Sequence, residues 1–151
     1  MKSEIILDTG PLIALLNSRD PHHRWAKKQW DMIEPPLLTC EAVVSEACFL
    51  ARRLVNRGPE RVLEFVQRGV LDLTFPLVNE IDALVRLVKK YRDVPMSLAD
   101  ACLVRMSELH PASSILTLDR DFTIYRRKRR QRIPLLHPDL PATGSLTADS
   151  P

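Results

Sequence analysis

Short β-branched runs alternate with longer segments whose apolar residues recur every three or four positions, from Ile5 to Leu136. Residues 4–7 make the first such run, ended by Asp8. Thr9, Gly10 and Pro11 then break the strand, and an apolar helix continues to Asn17. Asp20-Pro21 turns the chain into a helix over about residues 22–33, with Ala26, Trp30 and Ile33 on its buried side. After Pro35-Pro36, residues 37–39 are apolar enough for a short buried strand, followed by a helix over about 41–55. Gly58-Pro59-Glu60 starts the next helix, and residues 70–75 alternate as a third strand with Asp72 on the polar phase. A helix over about 79–91 presents Ile81, Leu84, Val85 and Val88 on one face and gathers Lys89, Lys90 and Arg92 near its end, where cations are favoured. Another helix opens at residues 95–104 and stops at Pro111. Residues 114–118 form a fourth strand, a short helix runs through the basic segment after it, and residues 133–136 make an edge strand, where Pro134 is tolerated.

This alternation predicts an α/β fold in three layers: a central, mostly parallel sheet of four to five strands flanked by helices and joined by right-handed crossovers. One domain, residues 1–137, accommodates it, and residues 138–151, rich in Pro, Gly, Ser and Thr, read as a flexible tail.

Four acidic positions interrupt apolar stretches. Asp8 sits at the carboxyl end of the first strand, where open α/β sheets bind ligands. Glu46 has Ala42, Val43, Phe49 and Leu50 three and four residues away, which puts its carboxylate on the helix stripe expected to face the sheet. Asp100 is the sole charge between Ser97 and Val104, and the Ser97/Asp100 spacing is also that of an ordinary capping box. Asp119 and Asp121 follow the fourth strand directly. The topology lets these acids converge. Two ionised carboxylates ~5 Å apart repel by about 3 kcal/mol at an effective dielectric of ~20. Four such groups then need protons or a cation, and oxygen ligands without His or Cys point to Mg²⁺ or Mn²⁺. Such a site suits water attack on a phosphodiester. With four glycines in the chain, neither a Walker loop nor a glycine-rich dinucleotide turn is present.

The net charge of +3 hides an asymmetry, because six of the 22 basic residues lie in the run Arg126, Arg127, Lys128, Arg129, Arg130 and Arg132. That run suits a polyanion, or else a solvated connector. Cys40, Cys48 and Cys102 form no C-x-x-C pair and read as reduced core residues. No apolar run approaches the ~20 residues of a membrane span, and the amino terminus lacks a signal-peptide plan, so the expected location is the cytoplasm.

The segments 7–12 (Leu-Asp-Thr-Gly-Pro-Leu), 43–47 (Val-Val-Ser-Glu-Ala), 97–101 (Ser-Leu-Ala-Asp-Ala) and 115–122 (Ile-Leu-Thr-Leu-Asp-Arg-Asp-Phe), in this order and spacing, resemble the PIN-domain family, and within it the VapC-type toxin ribonucleases. The resemblance implies a PIN-like fold with catalytic acids at Asp8, Glu46, Asp100 and Asp119, metal contacts from Asp8, Asp100, Asp119 and Asp121, and supporting roles for Thr9 and Ser97. It implies Mg²⁺- or Mn²⁺-dependent endoribonuclease activity on RNA, often transfer RNA, with a homodimer and a cognate antitoxin as protein partners. Arg126, Arg127, Lys128, Arg129, Arg130 and Arg132 are the expected RNA-binding flank. The alternatives are a stand-alone RNA-processing nuclease and a non-catalytic RNA- or protein-binding domain.

Overall fold

A computed structural model describes residues 4–141. In chain order its elements are β1 (Ile5–Leu7), α1 (Thr9–Leu16), α2 (His23–Met32), β2 (Leu37–Leu38), α3 (Glu41–Leu54), α4 (Gly58–Gln67), β3 (Leu71–Asp72), α5 (Ile81–Lys90), α6 (Leu98–Leu109), β4 (Ser114–Leu116), β5 (Arg126–Arg127), β6 (Gln131–Arg132) and β7 (Leu135–Leu136). Short 3-10 turns at Leu77–Glu80 and Arg120–Thr123 precede α5 and β5.

Five strands form one parallel sheet in the order β3-β2-β1-β4-β7. From β1 the chain steps outward through β2 and β3, then returns to lay β4 on the other edge of β1. The order therefore reverses between β1 and β4, which opens a crevice at the carboxyl ends of those two strands. Leu7 pairs with Leu116, so Asp8 and Thr117 leave the sheet side by side. Ile6 and Ile115 join α5 and α6 in one core layer, while Ile5, Leu7 and Leu116 join α1 to α4 in the other. Because helices cover both faces, the central strands are apolar throughout rather than alternating.

The basic run is not helical. Arg126–Arg127 pairs antiparallel with Gln131–Arg132, and Lys128 and Arg129 turn the hairpin at φ 48° and 73°. Neither turn residue is the Asn or Gly that such a turn favours, so its usual sequence sign is missing. The buried face of α3 is also rotated from expectation. Val43, Val44, Ala47 and Ala51 pack inward, while Glu46 is exposed beside Phe49, itself 69% exposed, and Leu50. The apolar stripe read from the sequence weighted large side chains, but the small ones let α3 approach its neighbours. At Gly58 an added Cβ would overlap the carbonyl group of Ala51, so the α3–α4 contact requires the bare backbone there. The buried face of α5 also differs from expectation: Ala83, Leu84 and Leu87 are buried while Ile81, Val85 and Val88 stay 41–46% exposed.

The strands expected at 70–75 and 114–118 shorten to Leu71–Asp72 and Ser114–Leu116. Beyond β7, the Leu140 N–H donates to the His137 carbonyl and its side chain packs against the α5–α6 core layer. The expected tail from 142 onward lies outside the described residues.

Candidate active site

Five acids line one open cavity of about 580 Å³ at the crevice between β1 and β4: Asp8, Glu46, Asp100, Asp119 and Asp121. Thr9 and Ser97 line it too, with Gly10, Leu50, Pro95, Leu118 and Arg120 completing the wall. The acids arrive from four separate segments, and the carboxylates of Asp8, Glu46, Asp100 and Asp119 each accept a hydrogen bond there.

Asp8 ends β1 and caps α1, its Oδ1 accepting the Thr9 N–H at 2.7 Å. Its Oδ2 accepts the Thr117 hydroxyl at 2.7 Å, and the carboxyl is only 7% exposed. Burial raises its pKa to about 6 against these two hydrogen bonds, with Asp100 and Glu46 adding repulsion. Thr9 reaches across to α3, its hydroxyl donating to Glu46 Oε2 at 3.3 Å. At α6, the Ser97 hydroxyl accepts the Asp100 N–H at 3.0 Å. The cap and the site therefore use the same pair, and the capping reading does not compete with membership of the cavity. Burial raises the Asp100 pKa, the Tyr125 and Ser97 hydrogen bonds oppose it, and Asp119 adds to it. After β4, Asp119 Oδ1 accepts the Asp121 N–H at 2.9 Å, and burial with Asp119 beside it raises Asp121.

Two residues were not singled out in the sequence. Thr117 holds Asp8 with its hydroxyl hydrogen and accepts the Asp119 N–H at 2.9 Å, so one side chain ties the first and last acids together. A threonine closing an apolar strand two residues before an acid is its only sequence sign. Tyr125 is fully buried and donates its hydroxyl to Asp100 Oδ2 at 2.8 Å. Nothing in its local sequence marks it, because the contact is tertiary. Gly10 serves the same region, since a Cβ there would press on the Leu118 side chain at 3.3 Å, which would have to give by a few tenths of an ångström.

The donor set fits a hard divalent cation. All five groups are carboxylates, one is buried without a counter-charge, and the single cation in the wall, Arg120, points its guanidinium to Asp139 at 3.8 Å. Among the described residues no three His, Cys, Asp or Glu side chains are already drawn into a ligand set.

None of the basic run lines this cavity. Arg127 is 4% exposed, and its guanidinium donates to the Ser107 and Pro111 carbonyls at 3.1 and 3.0 Å. Arg126 donates to the carbonyls of Thr123, Ile124 and Tyr125. The guanidinium groups of these two residues, both expected to contact RNA, are engaged with protein carbonyls in this structure. Lys128, Arg129, Arg130 and Arg132 are exposed.

The family model described as PIN domain matches residues 5–128. Ribonuclease VapC26 of Mycobacterium tuberculosis is 31% identical over 117 residues, covering 77% of this chain and 87% of that protein. The crystal structure of M. tuberculosis VapC20, described as a Sarcin-Ricin loop cleaving toxin, superposes with a TM-score of 0.70 at 24% identity, over 80% of this chain and 94% of that one.

Proposed function

The chain belongs to the PIN domain family, and from that premise we propose that it is a Mg²⁺- or Mn²⁺-dependent endoribonuclease that hydrolyses RNA phosphodiesters. One observation carries the reading: five carboxylates from four separate segments line a single cavity that contains one, outward-engaged cation. In this reading Asp8, Asp100, Asp119 and Asp121 would hold the metal, which when bound would supply charge to neutralise the transferring phosphate and to acidify a water. Thr117 fixes the Asp8 rotamer and the Asp119 backbone together. Tyr125 and Ser97 fix Asp100. Glu46, exposed and steadied by the Thr9 hydroxyl, takes the proton from the attacking water.

The finer parts of the proposal rest on the motifs that resemble VapC-type toxins. The chain acts as the toxin of a type II toxin–antitoxin pair in the cytoplasm, on an RNA such as transfer RNA, as a homodimer and under a cognate antitoxin. Exposed apolar side chains on two helices, Phe49 and Leu54 on α3 and Val85 and Val88 on α5, support protein partners. No described helix is long and apolar enough to cross a membrane.

RNA cleavage with Mn²⁺, with EDTA, and in Asp8→Asn and Asp100→Asn tests the activity, with loss expected in the last three. Cleavage that persists in either variant overturns it. Growth arrest on expression, relieved by the product of an adjacent small gene, tests the toxin assignment against a stand-alone processing nuclease.

A further inference from the structure

A second cavity, of about 590 Å³, opens between α5, α6 and the β5–β6 hairpin, and its charge is opposite to that of the first. Tyr91 and Tyr125 connect the two. Tyr125 touches Asp100 on the acidic side and meets Tyr91 edge-on, with ring centroids 5.0 Å apart. Tyr91 in turn accepts the Arg126 N–H at 2.8 Å and lies under Lys90 on the basic side.

Three of the cations in this cleft are already engaged. Arg105 donates to Glu80 and Glu108, Arg126 to three carbonyls, and Lys90 to the Arg129 carbonyl at 3.1 Å. The side chains of Arg86, Lys128 and Arg129 have no partner among the described residues. The turn that carries two of them is firmly anchored. Glu108 accepts the Lys128 N–H at 2.6 Å, Lys90 holds the next carbonyl, and Arg127 is buried beneath. Both turn residues adopt left-handed backbone that a lysine and an arginine rarely occupy.

Resting on the nuclease reading, we propose that this cleft is a docking site for the phosphodiester backbone of the RNA substrate, remote from the cut, with Arg86, Lys128 and Arg129 as the contacting residues. Two features favour a polyanionic strand over a small anion. The cleft is open and lined from α5, α6 and the hairpin, and Arg105 and Glu108 lie five and eight residues along α6 from Asp100, about 8–12 Å at the helical rise. A strand with one phosphate at the acids reaches it within a few nucleotides. No aromatic or amide side chain lines the cleft, so it holds phosphates and leaves the bases unread.

The test measures binding of labelled polyuridylate and of a uridine trinucleotide in EDTA over a series of KCl concentrations. Substituting Arg86, Lys128 and Arg129 together by alanine is expected to weaken polyuridylate about tenfold or more and to flatten its log–log salt slope by about 2, from ~0.7 per phosphate contact. Trinucleotide binding is expected to be unchanged. The single Arg86→Glu on the exposed face of α5 should act in the same direction without disturbing the hairpin. A control that removes the same charge elsewhere, Arg24, Lys27 and Lys28 of α2 to alanine, should leave the slope intact. An unaltered slope in the cleft variant, an equal effect in the control, or tighter and cleft-dependent binding of polyglutamate would overturn the proposal. The readout needs no cleavage: a nuclease with an unaltered slope sinks the cleft alone, and an inactive protein that loses the slope sinks the nuclease reading alone.

Discussion

Asp8 is the residue where fold and chemistry conflict most directly. It caps a helix, which stabilises, yet its carboxyl is 7% exposed with no cation beside it. Its pKa of about 6 lies above the ordinary 3.8, so the folded state binds more protons than the unfolded one between those values. Stability is therefore full below about pH 4 and is lost as pH rises through about 6, by about 3 kcal/mol for a shift of about two pH units. In EDTA, Asp8→Asn is expected to melt higher than wild type near pH 8, with the gap closing near pH 4; a constant gap would contradict the raised pKa. Tyr125→Phe removes one hydrogen bond to a carboxylate while keeping the ring against Phe122 and Tyr91. Cleavage should fall about tenfold and the Mn²⁺ concentration for half-maximal rate should rise, and since such a bond is worth about 1.5–3 kcal/mol the melting point should also fall by several degrees. A lowered melting point with unaltered metal dependence would mark Tyr125 as packing only. The acids were legible because a charge inside an apolar run is conspicuous. Thr117 and Tyr125 were not, because their partners lie 109 and 25 residues away and nothing local sets them apart.

At the scale of elements, the strands that deliver acids were legible and the surfaces of the helices were not. Asp8 and Asp119 follow β-branched runs whose ends are marked by glycine, proline or charge, and the structure places both acids at strand exits on either side of the crevice. The buried face of α3 depended instead on Ala47 and Ala51, with Gly58 of α4 opposite, whose contribution is the space they leave, and that of α5 on Ala83 beside Leu84 and Leu87. Gly58→Ala is a direct test, because the added methyl must displace backbone of α3 rather than a flexible side chain. We expect a loss of about 1–3 kcal/mol in urea denaturation, as for other overpacked contacts. A loss below a few tenths would mean that α4 moves away freely. The hairpin eluded the sequence because its strands are two residues each and its turn is Lys128, Arg129 and Arg130, without glycine or asparagine. A short basic helix and a short basic hairpin have the same composition.

Across the whole molecule, a net charge of +3 is divided into an acidic cavity and a basic cleft linked by two tyrosines. Neither field could be read from total charge, although the basic run announced that one existed. Their separation has a thermodynamic consequence. A long RNA can bind through the basic cleft while its remaining phosphates avoid the carboxylates, but a trinucleotide aligned for cleavage must lie against the carboxylates. A divalent ion among them should therefore raise trinucleotide affinity strongly and polyuridylate affinity weakly, whereas KCl should weaken the polymer more than the trimer because the polymer makes more phosphate contacts. We expect Mn²⁺ to tighten the trimer about tenfold or more in titrations with the inactive Glu46→Gln, which leaves the proposed metal-holding carboxylates in place. Equal Mn²⁺ enhancement for both RNAs would mean that the polymer, too, is held at the acids, and that the two fields act on one stretch of strand.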